Sequence, residues 1–121
     1  MTNGASNQVV SIEQARKRIQ SGEAIVIDVR MPFDYAGCRI PGSLSLPNFS
    51  IRARKSEVPA GKGLVFVSDD GDLSEKVCEA AKALGFEDVA SLEGGIEAWI
   101  DADYPTETNS EGLTSALPTA E

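Results

Sequence analysis

Two runs of four apolar residues without polar alternation, Ala24–Ile27 and Leu64–Val67, constrain this chain more than any other feature. A strand with one wet face alternates apolar and polar side chains. A short unbroken run reads instead as a strand covered on both faces, the environment of a parallel sheet. Val89-Ala90-Ser91-Leu92 reads as a further strand, and Leu44-Ser45-Leu46 as a brief one closed by Pro47.

Helical patterns stand between these runs. Ser11 with Gln14 three residues on forms a capping-box pattern, Ile12, Ala15 and Ile19 fall on one face, and Ser21-Gly22 stops the helix. Met31-Pro32 opens a short second helix to about Gly37, and Ile40-Pro41-Gly42 is a turn. Residues 49–56 are expected to be helical and carry Arg52, Arg54 and Lys55. Val77, Cys78, Ala81 and Leu84 repeat at helical spacing, with Gly85 as the stop. Gly94-Gly95 turns into a last helix from Ile96 to about Ala102, with Trp99 expected in the core. Strands alternating with helices at this spacing imply an α/β fold of parallel strands joined by crossover helices.

At 121 residues the chain has room for one domain, expected at 9–105. Residues 1–8 and 106–121 are polar and small and are expected to be a disordered lead and tail. The first residues have no basic stretch followed by an apolar one, and no apolar run reaches a bilayer span, so the expected location is cytoplasmic.

Charge and residue types exclude several function classes. Nineteen acidic side chains against eleven basic ones leave a net charge of −8, which disfavours nucleic acid and anionic membranes. Histidine is absent, which removes every Ser-His and Cys-His nucleophile pair and the commonest zinc ligand. The two cysteines, Cys38 and Cys78, form neither a disulfide framework nor a CxxC metal pair.

Four segments in order resemble the rhodanese homology domain: Asp28-Val29-Arg30; Phe33-Asp34-Tyr35 with Ile40-Pro41-Gly42-Ser43; Leu84-Gly85-Phe86; and Leu92-Glu93-Gly94-Gly95 with Trp99. The resemblance covers roughly residues 9–105 and implies a five-stranded, mostly parallel sheet with helices on both faces. It also implies an active-site loop after the strand 64–67, of the form Cys-x-x-Gly-x-(Arg/Lys)-Ser, whose cysteine carries sulfur between a donor and a thiol or cyanide. Loop amides and the following helix N-terminus stabilise negative charge at that cysteine and depress its pKa.

Laid on that loop, this sequence places Ser68 at the cysteine, Gly71 at the glycine, Leu73 at the basic residue and Ser74 at the serine. A serine hydroxyl stays protonated near neutrality and forms no persulfide, and Leu73 offers no charge to an anionic donor. Asp69, Asp70 and Asp72 add repulsion on the order of 1 kcal/mol each to a loop built for an anion. Cys38 and Arg39 also replace the family's Gly-His, and Met31 stands where an acidic residue often follows the arginine.

The resulting expectation is a catalytically silent rhodanese-like domain acting as a binding or regulatory module. Ser68 fills the loop and caps backbone groups, and the acidic segment 68–74 meets a basic protein partner. No metal or cofactor is expected, although Asp69, Asp70 and Asp72 also have the oxygen chemistry of a cation site. Asp28 and Arg30 support the site structurally. Cys78 is read as a buried inert thiol on its helix face. Cys38, beside the positive charge of Arg39, is the candidate reactive thiol and the carrier in the alternative reading, a sulfurtransferase with a displaced cysteine. Arg52, Arg54 and Lys55 are open between a docking face and a solvated surface, and the domain between a monomer and a small homo-oligomer.

Overall fold

The computed structural model describes residues 8–108. Its elements follow the order β1 Val9–Val10, α1 Ile12–Ser21, β2 Ala24–Asp28, α2 Pro32–Gly37, β3 Leu44–Ser45, β4 Gly63–Val67, α3 Asp72–Ala83, β5 Val89–Leu92 and α4 Gly95–Asp101. The strands form one sheet in the order β1-β5-β4-β2-β3, and every pairing is parallel.

The unbroken apolar runs are explained by two cores, one on each face of the sheet. Leu64 and Phe66 of β4 join Ile27, Val77, Cys78 and Ala81 on one face, against α3. Val65 and Val67 join Val26, Ala15, Ile96 and Trp99 on the other, against α1 and α4. Successive strand side chains point to opposite faces, so a strand with two covered faces needs apolar residues at every position.

Local signals place the helix ends. The Ser11–Gln14 capping box forms in both directions, at 3.1 and 3.2 Å, and Gly22 closes α1 with φ +83°. Trp99 is buried, with its indole N–H donating to Pro105 O at 2.7 Å and its ring edge-to-face with Tyr104.

Three features differ from the sequence expectation. Residues 49–56 form no α-helix; they make two single 3₁₀ turns, Asn48–Ser50 and Lys55–Glu57. Within 49–56 only Ile51 is buried, which is too little apolar surface to repay helix nucleation. The basic residues there disperse: Arg54 pairs with Glu57 at 2.7 Å, Lys55 lies over the Phe86 ring, and Arg52 is exposed. Val9–Val10, too short to show in a residue pattern, adds the fifth strand through Ser91 and Leu92. Part of the expected tail is ordered, since Glu107 pairs with Arg39 through two backbone hydrogen bonds of 2.8 and 2.9 Å. The remainder, residues 109–121, and residues 1–7 of the expected lead lie outside the described residues.

Among the described residues no helix is long and apolar enough to cross a membrane.

Candidate functional site

In an open parallel sheet, a crevice forms at the carboxyl ends of the strands where neighbouring connections leave in opposite directions. Here that point lies between β2, which leads through α2 to β3, and β4, which leads through α3 to β5 on the other side. A cleft of about 360 Å³ opens there. It is lined by Val29, Arg30, Met31 and Asp34 after β2, by Asn48, and by Ser68, Asp69, Asp70, Asp72, Leu73 and Lys76 after β4. A larger open hollow, of about 1000 Å³, lies at the opposite ends of β2, β4 and β5, and its lining includes Arg52, Lys55 and Lys62 as well as Glu23, Glu87 and Asp88. The switch-point cleft is the one that collects Arg30 with Ser68, Asp69, Asp70, Asp72 and Leu73 of the loop.

Segment 68–74 carries β4 into α3. Ser68 is 2% exposed, and its Oγ accepts the amides of Gly71 at 3.1 Å and Ser74 at 3.2 Å while donating to Ser74 Oγ at 3.1 Å. Ser74 Oγ in turn donates to Gly71 O and meets Ser91 Oγ at 2.6 Å. Three buried hydroxyls thus form a closed network around Gly71, whose φ of +104° suits glycine. Asp70 Oδ1 accepts the Asp72 amide at 3.0 Å, a local turn that starts α3. Asp69, Asp70 and Asp72 are exposed. Among the described residues no three acidic, histidine or thiol side chains gather as a metal-binding group.

Leu73 turns partly into the α3-side core, and one turn later Lys76 brings an exposed cation to the cleft. The sequence reading missed Lys76. The signal was available, because residues three apart on a helix share a face.

Asp28 and Arg30 form the floor support. The guanidinium binds both carboxylate oxygens, with Nη2 to Oδ2 at 2.8 Å and Nε to Oδ1 at 3.0 Å. The Arg30 amide donates to Asp28 Oδ1, and Nη2 also reaches Cys38 O. Both side chains are buried. Burial opposes the guanidinium charge most strongly, but the hydrogen bond and attraction of Asp28, with Asp69 and Asp34 adding, hold its pKa above the ordinary value.

The two thiols differ in burial. Cys78 is fully buried on α3, and burial pushes its pKa up to about 12. Cys38 is half-buried and does not line the cleft. Arg39 beside it is committed elsewhere, over the Tyr35 ring and to Glu107 at 3.6 Å. Native protein treated with iodoacetamide is therefore expected to take up one label, on Cys38, with Cys78 reacting only after denaturation. Peptide mapping checks this, and native labelling of Cys78 would contradict it. Because the folded thiol stays neutral to about pH 12 while the unfolded one ionises near 9.0, this group lowers stability as pH rises above 9.0 and has no effect below it.

Residues 11–102 match the family model described as the rhodanese-like domain. The chain belongs to the rhodanese-like family. It is 38% identical over 96 residues to a thiosulfate sulfurtransferase, GlpE, of Pseudomonas syringae, covering 79% of this chain and 89% of that protein. It is 30% identical over 99 residues to a sulfurtransferase of Allochromatium vinosum, covering 82% and 92%. The rhodanese-related protein of Thermoplasma volcanium superposes with a TM-score of 0.75 at 25% identity, over 83% of this chain and 97% of that one. The five-stranded parallel sheet with helices is thus a rhodanese-like fold, and this rhodanese-like domain has sulfurtransferases among its relatives.

Proposed function

We propose that this rhodanese-like domain is catalytically silent in sulfur transfer and serves as a binding or regulatory module. The reading takes Ser68 as the residue at the family's cysteine position. One observation supports it above others: three of the loop's amides are already taken by the loop's own oxygens. Gly71 and Ser74 donate to Ser68 Oγ, and Asp72 donates to Asp70 Oδ1. Ser68 Oγ has two donors and one acceptor around it, 2% exposure, and no histidine anywhere in the chain to take its proton. Asp34, Asp69, Asp70 and Asp72 on the cleft wall oppose an anionic sulfur donor, with Lys76 the free cation among the lining residues.

The relatives named sulfurtransferases support sulfur transfer at the family level, and a second reading gives that role to the half-buried Cys38. Intact mass separates the two. Reduced protein is incubated with thiosulfate or with a small-molecule persulfide and weighed with and without a reducing wash. An unchanged mass is the expected result. A reversible gain of one sulfur atom, mapped to Cys38, would overturn the silent reading.

A further inference from the structure

The described residues expose five large apolar side chains, and the three most exposed are Phe33 at 84%, Phe49 at 70% and Met31 at 55%. Each is a lining residue of the switch-point cleft or the chain neighbour of one. Met31 lines it, Phe33 adjoins the lining residue Asp34, and Phe49 adjoins the lining residue Asn48. The remaining two, Val9 and Ile100, lie on β1 and α4. Exposed aromatic side chains next to cleft-lining residues are characteristic of a contact made with another molecule.

Charge decides which molecule. The mouth carries Asp34 and the three loop aspartates against Lys76, and the Arg30 charge is already matched by Asp28. Nucleic acid and anionic lipid are repelled there. So is a second copy of this chain, with its net charge of −8. The chain's own residues 109–121 contain Glu111 and Glu121 and no lysine or arginine, so they offer no complement. We propose that Met31, Phe33 and Phe49, framed by the aspartates, form a docking surface for a lysine- or arginine-rich protein segment that also carries apolar side chains. The apolar side chains bury the two phenylalanines, and the cations meet the aspartates and set the rate and register of association. The inference rests on the binding-module reading and gives it a partner class.

The test uses the full chain labelled with nitrogen-15 and a fluorescent synthetic peptide alternating lysine with leucine. Two control peptides replace every leucine with serine or every lysine with glutamine. The expected result is amide shift changes confined to residues 30–34, 48–50 and 68–76, with both controls at least about tenfold weaker. The Phe33→Ser, Phe49→Ser double variant is expected to lose at least about tenfold in affinity while keeping its melting temperature, since both side chains are exposed. Raising salt is expected to weaken binding by the native chain more than by the Asp69→Asn, Asp70→Asn, Asp72→Asn variant. Four outcomes would overturn the proposal: no binding, shift changes scattered over the whole acidic surface, equal binding of the serine control, or unchanged affinity of the phenylalanine variant. A concentration-dependent dimer abolished by that variant, without peptide binding, would assign the face to a second copy instead. Sulfur loading is measured separately, so failure here leaves the silent reading standing, and sulfur uptake would sink that reading whatever the peptides do.

Discussion

Replacing Asp28 with alanine is expected to destabilise the domain by about 3–5 kcal/mol, because it strands the buried guanidinium of Arg30 without its counter-charge. Asp28 is 1% and Arg30 7% exposed, so neither solvent nor a shifted rotamer easily replaces the lost bonds. The same carboxylate holds the Arg30 amide, and the same guanidinium holds Cys38 O, so one deletion loosens the chain on both sides of α2. In a domain whose total stability is about 5–15 kcal/mol, such a loss populates the unfolded state in mild denaturant. Urea unfolding followed by circular dichroism measures it. The paired change Asp28→Leu with Arg30→Met removes both charges together and is expected to recover most of the loss, since no buried charge is left unmatched. A single-variant cost below about 1 kcal/mol would show that the pair does not hold this end of the sheet.

Gly95→Ala is the second large effect. A Cβ at this position would stand 2.5 Å from both Ser68 O and Asp69 O, and its backbone φ is +63°. The close approach exists because α4 begins against the candidate site: the Ile96 amide donates to Ser68 O at 2.9 Å and the Glu97 amide to Asp69 O at 3.2 Å. A methyl group cannot enter without parting these bonds and moving segment 68–74. The expected cost is about 2–4 kcal/mol, from the clash and the strained φ together. Gly37→Ala is the control. Its Cβ meets nothing within 4 Å and its φ is not positive, so it is expected to change stability by less than about 1 kcal/mol. If Gly95→Ala melted like the wild type, the backbone contact between α4 and the loop would have to be looser than 2.5 Å implies.

Much of the architecture was legible in the residues because its causes are local or periodic. The box at Ser11 and Gln14 needs only neighbours three apart, and it forms. The runs 24–27 and 64–67 announced strands covered on both faces, and both cores exist. The expected helix at 49–56 failed because charged residues alone do not bury a helical face, and the segment is held by Ile51 and Val58 in a fold decided elsewhere.

The candidate site divides the same way. Its position after β4, its serine and its three aspartates could be read from the chain. The hydrogen-bond network could not, since Ser91 reaches Ser74 across 17 residues and only the pairing of β4 with β5 puts them together. Gly94-Gly95 was legible as a turn and as part of a motif, but its approach to the loop, the passage of one backbone against another, was not. Asn48 joins the cleft from the segment after β3, which sequence spacing does not bring to the loop, whereas Lys76 follows Leu73 by three residues and could have been read.

From its residues alone, most of this protein's element types, its α/β class and the residue types of its loop could be read, because side-chain period, caps and functional groups are properties of short stretches of chain. The tertiary structure alone decided that Val9–Val10 completes the sheet, that Ser68 is enclosed by its own loop, and that Phe33 and Phe49 stay exposed beside residues that line an acidic cleft. Those facts depend on contacts between residues far apart in sequence, and such contacts are fixed by how the layers pack.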